Sequence, residues 1–381
     1  MKKILIIIGG DFHFPGGGTE NYNLFLLQIL NKYYQNYFVD ILLIGSKNTT
    51  FKLDIPNCKF IYLPTHKNAN KSTLLNIFNL IKDVKTARKY LHYVFNDYDL
   101  ILDSSLLNCK FKLNISKYYL IQHFYLESYY FWSNSWSFSF SKFMTFFWKF
   151  FMDKLDFLKD ISNFVVFNEE TAKTVKKINS AINTYPICLP SRITPVAAEE
   201  LSSNSSRIIF LGRIDNHQKN ISSLIKINQQ INMIDFYGDA FDSEGKLYKQ
   251  QLINLNWYKG VISSEKSLIN TLHHYKFMIL YSKYEGFPFS LVEALSQGIP
   301  IIVKNTYLSA SFLCNDKTGL LLPKNTSVED DIQLIKKFIS MNDKEYHQYQ
   351  INCINFYNEK LNINIFICKW RSIFNQYLDK K

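Results

Sequence analysis

Ile4-Leu-Ile-Ile-Ile8 passes directly into a glycine-rich stretch, Gly9-Gly-Asp-Phe-His-Phe-Pro-Gly-Gly-Gly18. A helical pattern begins at Thr19, and a second apolar run, Tyr37–Ile44, comes after it. A continuous run of β-branched residues is typical of a strand that is buried on both faces of a parallel sheet. These residues therefore predict a strand–helix–strand unit with a glycine-rich loop at the carboxyl end of its first strand.

The same alternation continues along the chain, which has 381 residues. In the first half, the other predicted elements are strands Lys59–Leu63, Leu100–Leu102, Tyr118–Gln122 and Phe164–Phe167 and helix Ser72–Val94. In the second half, they are strands Arg207–Leu211, Met233–Tyr237, Phe277–Tyr281 and Pro300–Val303 and helices Asn220–Gln230, Leu247–Leu255, Leu268–His274 and Ser290–Gln297. The length favours two cores rather than one. We expect an α/β protein of two doubly wound, Rossmann-like parallel-sheet domains that face a ligand-binding cleft.

The domain boundaries follow from a change in composition. Pro190–Ser206 is polar, contains two prolines and ends in serines, which is typical of a linker. We therefore predict an N-terminal domain over 1–190, a linker over 191–206 and a C-terminal domain over 207–360. The remaining residues, 361–381, are expected to form a C-terminal helix.

Composition limits the classes of partner. A hydrophobic content of 47% with 20% charged residues indicates a globular chain. The formal net charge of +12 favours partners that carry phosphate, while the lack of a polybasic tail argues against nucleic acid. The basic stretch Lys67–Lys89 and the aromatic stretch Tyr129–Phe151 suggest docking on an anionic membrane surface. A solvated helix face is the alternative interpretation of the basic stretch.

The cysteines and the apolar runs indicate a location. Six scattered cysteines without a C-x-x-C pair fit a reducing cytosol and offer no metal-site spacing. The first apolar run is too short for a signal peptide, and polar residues interrupt the aromatic stretch. We expect a cytoplasmic protein, or one that is peripheral on the inner face of the cytoplasmic membrane.

Two strand ends of the second half carry charged residues. The strand Arg207–Leu211 is followed by Gly212-Arg213 and, six residues after the arginine, by Lys219 at a helix start. A guanidinium fork, an ammonium group and a helix N-terminus together make a receptor for a diphosphate. Taken alone, the same loop is equally well explained by two ordinary surface cations.

The strand Phe277–Tyr281 is followed by Glu285-Gly-Phe-Pro-Phe-Ser-Leu-Val-Glu293. Ser290 is a candidate N-cap with Pro288 just before the helix, and Glu293 would then fall in the first helical turn. Two carboxylates without a nearby basic partner are suited to binding the paired hydroxyls of a sugar or a ribose. The alternatives are a capping-box role for Glu293 and a solvated loop position for Glu285.

The glutamate pair around E-G-F-P resembles the signature of retaining GT-B glycosyltransferases of the large family four, the group 1 enzymes. The G-R-I-D-x-x-x-K-N run from Gly212 also falls in that family's order. So do the following segments: Gly16-Gly17-Gly18-Thr19-Glu20, Gly238-Asp239, Gly260 and Thr318-Gly319-Leu320. The spacing from Arg213 to Lys219 is one residue longer than the commonest form, and Gly238-Asp239-Ala240 lacks a second glycine.

The resemblance implies roles for these positions. Arg213 and Lys219 would bind the donor diphosphate, Glu293 the ribose and Glu285 the sugar hydroxyls, while His123 would touch the transferred sugar. The implied donor-binding set is Gly17, Gly18, Gly212, Arg213, Lys219, Gly238, Glu285, Gly286, Phe287, Pro288, Phe289, Ser290, Leu291 and Glu293. The implied catalytic set is Glu285, His123, Arg213 and Lys219. The resemblance also implies that the first domain, 1–190, binds the acceptor and that the second, 207–360, binds the nucleotide sugar. In this fold, the C-terminal helix would cross back onto the first domain.

These expectations define a reaction. A retaining enzyme would move a sugar from a nucleotide-diphosphate donor to a hydroxyl of a glycan or a lipid-linked acceptor, with preorganised cations stabilising the leaving diphosphate. No Asp-x-Asp motif stands beside a strand end, so we expect neither a metal nor another cofactor. Synthesis of a bacterial surface polysaccharide, either capsule or lipopolysaccharide, is the expected pathway.

Three other classes fit less well. A sugar-nucleotide epimerase of similar two-domain build is the nearest alternative, and a non-catalytic nucleotide-sugar-binding partner subunit comes from a different class. The presence of both cations and both glutamates argues against a decayed site. A dehydrogenase is disfavoured because the first loop lacks G-x-G-x-x-G and no acidic residue follows the second strand.

Overall fold

The computed structural model describes residues 1–9, 18–46, 57–64, 86, 89–105, 116–122, 161–197 and 206–381. These residues form two compact units, Met1–Ile187 with Ile367–Lys381 and Cys188–Phe366. Each unit has its own parallel β-sheet, and in the described residues helices connect several of the successive strands. The prediction of an α/β protein with two parallel-sheet domains is confirmed.

The described part of the first unit contains a seven-stranded sheet in the order β3-β2-β1-β4-β5-β6-β7. The strands are β1 Lys2–Gly9, β2 Tyr37–Ser46, β3 Cys58–Pro64, β4 Leu100–Ser104, β5 Tyr118–Ile121, β6 Asn163–Val166 and β7 Asn183–Pro186. Two helices are described over their full length, α1 Gly18–Tyr33 and α2 Glu169–Ile178. Residues 89–94 are also helical and lead into a 3-10 turn at Phe95–Asp97. Residues 4–8 of β1 are essentially inaccessible to solvent, and β1 is an interior strand that pairs with β2 on one side and β4 on the other. Burial on both faces of the sheet explains why the sequence from Ile4 to Ile8 is continuously apolar.

The second unit contains a six-stranded sheet in the order β10-β9-β8-β11-β12-β13. Its strands are β8 Ile208–Leu211, β9 Ile234–Tyr237, β10 Tyr258–Gly260, β11 Phe277–Leu280, β12 Ile301–Lys304 and β13 Gly319–Leu322. Its helices are α3 Ile221–Ile231, α4 Ser243–Asn254, α5 Glu265–Leu272, α6 Phe289–Ser296, α7 Leu308–Leu313, α8 Val328–Ile339 and α9 Asp343–Phe356, followed by a π-helical turn at Tyr357–Leu361. The strand order reverses between β8 and β11, which are hydrogen-bonded neighbours. The loops after these two strands diverge at such a point and leave a crevice at their carboxyl ends.

The last helix, α10 Ile363–Phe374, runs from the second unit into residues of the first. Its Trp370 is fully buried, and the indole Nε1–H donates a hydrogen bond of 3.1 Å to the hydroxyl of Tyr22 in α1. The rings of Trp370 and Phe374 stack with their centres 5.3 Å apart. The C-terminal residues therefore add to the core beside α1.

The segment predicted as a linker, 191–206, begins inside the second unit. The hydroxyl oxygens of Ser191 and Ser296 lie 3.1 Å apart, and the backbone N–H of Val196 donates to the carbonyl of Ser296 at 3.0 Å. The described residues up to 197 therefore pack along the end of α6, because that helix satisfies their polar groups. Residues 198–205 lie outside the described residues.

Two stretches that suggested membrane docking are mostly outside the described residues. Of Lys67–Lys89, the structure describes positions 86 and 89, both helical, and it describes none of Tyr129–Phe151. Among the helices that are described, none combines the length and the apolar character that a membrane span requires.

Candidate active site

The loops after β8 and β11 meet in a buried ion pair. The Nζ of Lys219 lies 2.5 Å from Oε1 of Glu285, and the side chains are only 11% and 7% exposed. Lys219 ends the loop after β8, and Glu285 lies in the loop after β11. The strand-order reversal thus joins two residues that are 66 positions apart in sequence.

Gln218 connects this pair to Arg213. Its Nε2 donates to Oε2 of Glu285 at 3.0 Å, and its Oε1 accepts a hydrogen bond from the Arg213 guanidinium. The Arg213 side chain is 56% exposed, so most of its donors remain accessible. Three of the four predicted charged residues therefore lie in one hydrogen-bonded network.

Asp215 fixes the conformation of the loop that carries both cations. Its Oδ1 accepts the backbone N–H groups of Gln218 at 2.7 Å and of Lys219 at 3.2 Å. Asn220 then adopts the left-handed conformation with φ of 57°, which asparagine tolerates better than most residues, and α3 begins after it. The loop thereby positions Lys219 immediately before a helix.

Glu293 has a different environment from the one predicted. The N-cap of α6 is Pro288 rather than Ser290, so Glu293 lies beyond the first turn of the helix. It is fully buried, and its Oε1 accepts a hydrogen bond of 2.5 Å from Nε of Arg192. Burial raises the pKa of the Glu293 carboxyl, and the Arg192 charge opposes that rise.

The expectation that both glutamates lack a basic partner is wrong. Lys219 pairs with Glu285, and Arg192 pairs with Glu293. The physical reason is that each carboxylate is buried, and a buried charge without a counter-charge costs several kcal/mol.

Residues 196–355 match the family model described as Glycosyl transferases group 1. The chain carries a group 1 glycosyltransferase domain. The match contains Arg213, Lys219, Glu285 and Glu293, and it confirms the prediction that the chain is a glycosyltransferase. No curated protein sequence matches the chain.

Solved glycosyltransferase structures are similar to the chain over nearly its whole length. Sucrose-phosphate synthase from Thermosynechococcus elongatus has a TM-score of 0.72 at 16% identity, over 99% of each chain. The lipopolysaccharide outer core galactosyltransferase WaaB has a TM-score of 0.62 at 15% identity, over 98% of this chain and 99% of its own. WaaG, a glycosyltransferase involved in lipopolysaccharide biosynthesis, has a TM-score of 0.65 at 10% identity, over 97% and 99%. The predicted GT-B fold is thus confirmed.

Arg192 is a charged residue of the second unit that the sequence analysis missed. It stands 101 positions before its partner Glu293, inside the predicted linker. Its guanidinium also lies 5.6 Å from the ring centre of Phe289, the first residue of α6. In the sequence, Arg192 is an isolated cation between two prolines, and nothing nearby indicates which carboxylate it pairs with.

Position 238, one of the predicted donor-binding residues, must be a glycine because the neighbouring turn leaves no room for a side chain. Its φ is +143°, and a Cβ at this position would lie 1.8 Å from the carbonyl oxygen of Gly212. A Cβ on Gly212 would come no closer than 3.4 Å, to side-chain atoms of Lys219 and Phe210. The turn after β9 therefore packs directly against the turn that leads to Arg213.

The E-G-F-P segment leads into an α6 N-terminus that has no side-chain cap. The carbonyl of Gly286 accepts a hydrogen bond of 3.0 Å from the Ser309 hydroxyl, and the Phe287 ring packs 6.2 Å from that of Phe312. The Leu291 side chain is fully buried, so a ligand can contact this residue only through its backbone N–H. Uncapped N–H groups at a helix start attract anions.

The remaining predicted residues belong to the first unit. Gly18 is the first residue of α1 and is exposed. Gly17 and His123 lie outside the described residues. Across the part of the chain that is described, no group of three or more His, Cys, Asp and Glu side chains is arranged to hold a metal ion.

Proposed function

We propose that this glycosyltransferase is a retaining enzyme that transfers a sugar from a nucleotide-diphosphate donor to a hydroxyl of a glycan or a lipid-linked acceptor. The observation that carries the proposal is the network of Arg213, Gln218, Lys219 and Glu285 at the carboxyl ends of β8 and β11. The uncapped N-terminus of α6 follows the same loop.

The charges of this network suit the leaving group. Breaking the bond from the anomeric carbon to the diphosphate oxygen leaves the electron pair, and thus negative charge, on the nucleotide diphosphate. Arg213, Lys219 and the α6 N–H groups supply positive charge that is already oriented, which is the most effective form of electrostatic catalysis. Glu285 orients Lys219, and its lone pairs beyond those used by Lys219 and Gln218 can accept sugar hydroxyls.

Retention follows from attack on the face that the leaving group occupies. The acceptor oxygen forms its bond to the anomeric carbon as the diphosphate departs, and the acceptor proton passes to a diphosphate oxygen. Glu285 and Glu293 are both held in ion pairs, which disfavours either as a covalent nucleophile.

The ribose is assigned to Glu293. Its Oε2 is buried and has no hydrogen-bond partner, although a carboxylate oxygen in such a position normally accepts one. A ribose hydroxyl would satisfy it. We also propose that Gly17 and Gly18 contact the donor phosphates and that His123 contacts the transferred sugar, as the family resemblance implies.

We also propose that transfer is independent of metal ions. Two side-chain cations and a helix N-terminus would neutralise the donor diphosphate, so the reaction would not need a metal ion that bridges the phosphates. Transfer that survives EDTA unchanged supports this view, and loss of transfer that added Mg²⁺ or Mn²⁺ restores contradicts it.

The proposed setting is bacterial surface polysaccharide synthesis, of capsule or lipopolysaccharide, on the cytoplasmic side of the membrane. WaaB and WaaG, both named for lipopolysaccharide, share the fold. The net charge of +12 favours an anionic lipid surface and a phosphate-bearing acceptor over a neutral one. Co-sedimentation with phosphatidylglycerol vesicles tests the docking, and recovery of all the protein in the supernatant contradicts it.

A thermal-shift screen against UDP-, GDP-, TDP- and CMP-sugars tests the donor class. A nucleotide sugar that binds the folded enzyme raises the melting temperature in proportion to the logarithm of its concentration over its dissociation constant. We expect one nucleotide series to stabilise the protein, and no stabilisation by any of them would contradict the proposal. Isomerisation of the donor without an acceptor would favour the epimerase instead.

A further inference from the structure

The loop after β8 is fastened to the loop after β11 along three consecutive residues. The Lys283 ammonium group donates to the carbonyl of Asn216 at 2.7 Å, and the Lys283 backbone N–H donates to the carbonyl of Gln218 at 2.8 Å. Between these two bonds, Nδ1 of His217 and the Tyr284 hydroxyl are hydrogen-bonded at 2.5 Å. The two loops therefore hold each other in place.

The carboxamide of Gln218 lies between an anion and a cation. Its Nε2 donates to Oε2 of Glu285 at 3.0 Å and to the carbonyl of Tyr284 at 3.3 Å, while its Oε1 accepts from the Arg213 guanidinium. Carboxylate and carbonyl oxygens only accept hydrogen bonds, and a guanidinium only donates them. These partners therefore allow one orientation of the amide, with Oε1 towards Arg213 and Nε2 towards Glu285.

A carboxamide suits both neighbours because it combines an acceptor with two donors. A carboxylate at position 218 could still accept from Arg213, but it would put negative charge where Nε2 now lies 3.0 Å from Glu285. An apolar side chain would bond to neither neighbour. The backbone of Gln218 is fixed as well, since its N–H donates to Oδ1 of Asp215 at 2.7 Å. Gln218 therefore has little freedom to turn away from either group.

Arg213 depends on Gln218 for its orientation. The Arg213 side chain is 56% exposed, and its Nε lies 3.8 Å from Oδ2 of Asp215, which is too long for a hydrogen bond. An exposed arginine samples many rotamers, so holding it in one of them costs side-chain entropy. The hydrogen bond to Gln218 restricts the guanidinium before a ligand arrives, and such preorganisation is what makes a cation effective in catalysis.

We propose that Gln218 is a positioning residue for sugar transfer. It holds the Arg213 guanidinium for the donor diphosphate and the Glu285 carboxylate for the sugar hydroxyls, and it fixes the separation of the two groups. A donor then satisfies both groups only if its diphosphate and its sugar lie at the matching distance. This role rests on the proposed function, which assigns Arg213 and Glu285 to those two parts of the donor.

Calorimetric titration of the full-length chain with UDP, GDP and TDP tests the Arg213 side of this role. The proteins compared are the wild type, Gln218→Met, Arg213→Ala and the variant with both substitutions. We expect Gln218→Met to weaken nucleoside diphosphate binding about tenfold, as for loss of one hydrogen bond to a charged group. In the Arg213→Ala background, the same substitution should weaken binding less than about twofold, because its effect passes through Arg213.

Gln229→Met, at an exposed position of α3, is the matched control and should bind as the wild type does. Two results would overturn the role of Gln218. In one, Gln218→Met binds the nucleoside diphosphate as tightly as the wild type. In the other, Gln218→Met weakens binding by the same factor in both backgrounds, which would show that it supports the loop without acting through Arg213.

Gln218→Glu tests the Glu285 side and retains an acceptor for Arg213. Because the new carboxylate would repel Glu285, the variant should lose more affinity for a nucleotide sugar than for the corresponding nucleoside diphosphate. The probes are UDP-glucose, UDP-N-acetylglucosamine, GDP-mannose and TDP-rhamnose. Equal losses for the two kinds of ligand would contradict the link to Glu285. This variant keeps the length of the side chain, so it also provides the test if Gln218→Met does not fold.

Failure of this role and failure of the proposed function give different results. If the wild type binds these ligands and the Gln218 variants bind them equally well, the proposed function stands and the positioning role falls. If the wild type binds none of the nucleoside diphosphates or nucleotide sugars, the proposed function is contradicted, and the role of Gln218 falls with it.

Discussion

The ammonium nitrogen of Lys219 and the carboxylate of Glu285 form an ion pair of 2.5 Å between the ends of neighbouring strands. A buried ion pair adds little stability compared with apolar side chains of the same size, but removal of one member is costly. The pair is therefore best explained by a ligand that needs both charges. In the proposed function, Lys219 binds the donor diphosphate and Glu285 binds the transferred sugar.

Lys219→Met should impair both stability and donor binding. The substitution leaves the Glu285 carboxylate buried without a cation, which costs about 3–5 kcal/mol in the free energy of unfolding. The double variant Lys219→Met/Glu285→Gln removes both charges, so its stability should return most of the way to the wild-type value. Its nucleotide-sugar affinity should stay low. Urea unfolding and calorimetric titration measure the two quantities.

This pair of variants separates a structural role from a functional one. If the double variant regains donor affinity together with stability, the ion pair only supports the fold. Lys226→Met, at an exposed position of α3, is the matched control for loss of a lysine from the same region.

Arg192→Met should destabilise the second unit in a pH-dependent way. Glu293 is fully buried, its pKa is already raised above the ordinary 4.5, and the Arg192 charge limits that rise. Without Arg192, the pKa of Glu293 rises further. A carboxyl whose folded-state pKa is raised favours the folded protein below the unfolded-state pKa, and this advantage disappears as the pH rises through the folded-state pKa.

The loss of stability in Arg192→Met should therefore be large at pH 7.5, about 3–5 kcal/mol, and should shrink as the pH falls towards 4.5. Urea unfolding of wild type and variant across this range measures it. Arg192→Met/Glu293→Gln should be less destabilised at pH 7.5 and should lose most of the pH dependence. A penalty that is constant with pH would show that Arg192 acts through packing on Phe289 instead.

Gly238→Ala and Gly212→Ala form a matched pair in adjacent turns. An alanine at 238 requires a strained backbone and contact with the Gly212 carbonyl, so we expect a stability loss of at least about 2 kcal/mol. An alanine at 212 meets only side-chain atoms at van der Waals distance, and its cost should stay below about 1 kcal/mol. Chemical denaturation compares the two variants. Equal losses would contradict the packing of these turns.

The fold could be predicted from the sequence because a buried strand appears as a short run of consecutive apolar residues, and the charged residues at its end follow it directly in the chain. The run Ile4–Ile8 predicts the interior strand β1, and the runs that begin at Arg207 and Phe277 predict β8 and β11. Since parallel strands place their carboxyl ends at one edge, charged residues after β8 and β11 were expected to meet. The structure brings together Arg213, Lys219 and Glu285.

The missed features depend on distant or short segments. The strands β7 and β10 lie at the edges of their sheets and are only partly buried, so their sequences lack the continuous apolar run that marks β8 and β11. The partner of Glu293 is 101 residues away, and nothing local to Glu293 indicates Arg192. The N-cap of α6 was wrongly assigned to Ser290 because a serine normally caps better than a proline, whereas here the helix starts directly after Pro288.

Arg213→Ala gives the most direct test of the donor site, because Arg213 is more than half exposed and its loss should leave the fold intact. The measurement is the rate of sugar transfer from the nucleotide sugar identified by the thermal-shift screen, with the unfolding midpoint as the control for folding. We predict a rate about 100–1,000-fold lower than that of the wild type, as for removal of one group that stabilises a developing anion, at an unchanged midpoint. Transfer at the wild-type rate would contradict the assignment of this site to the donor diphosphate.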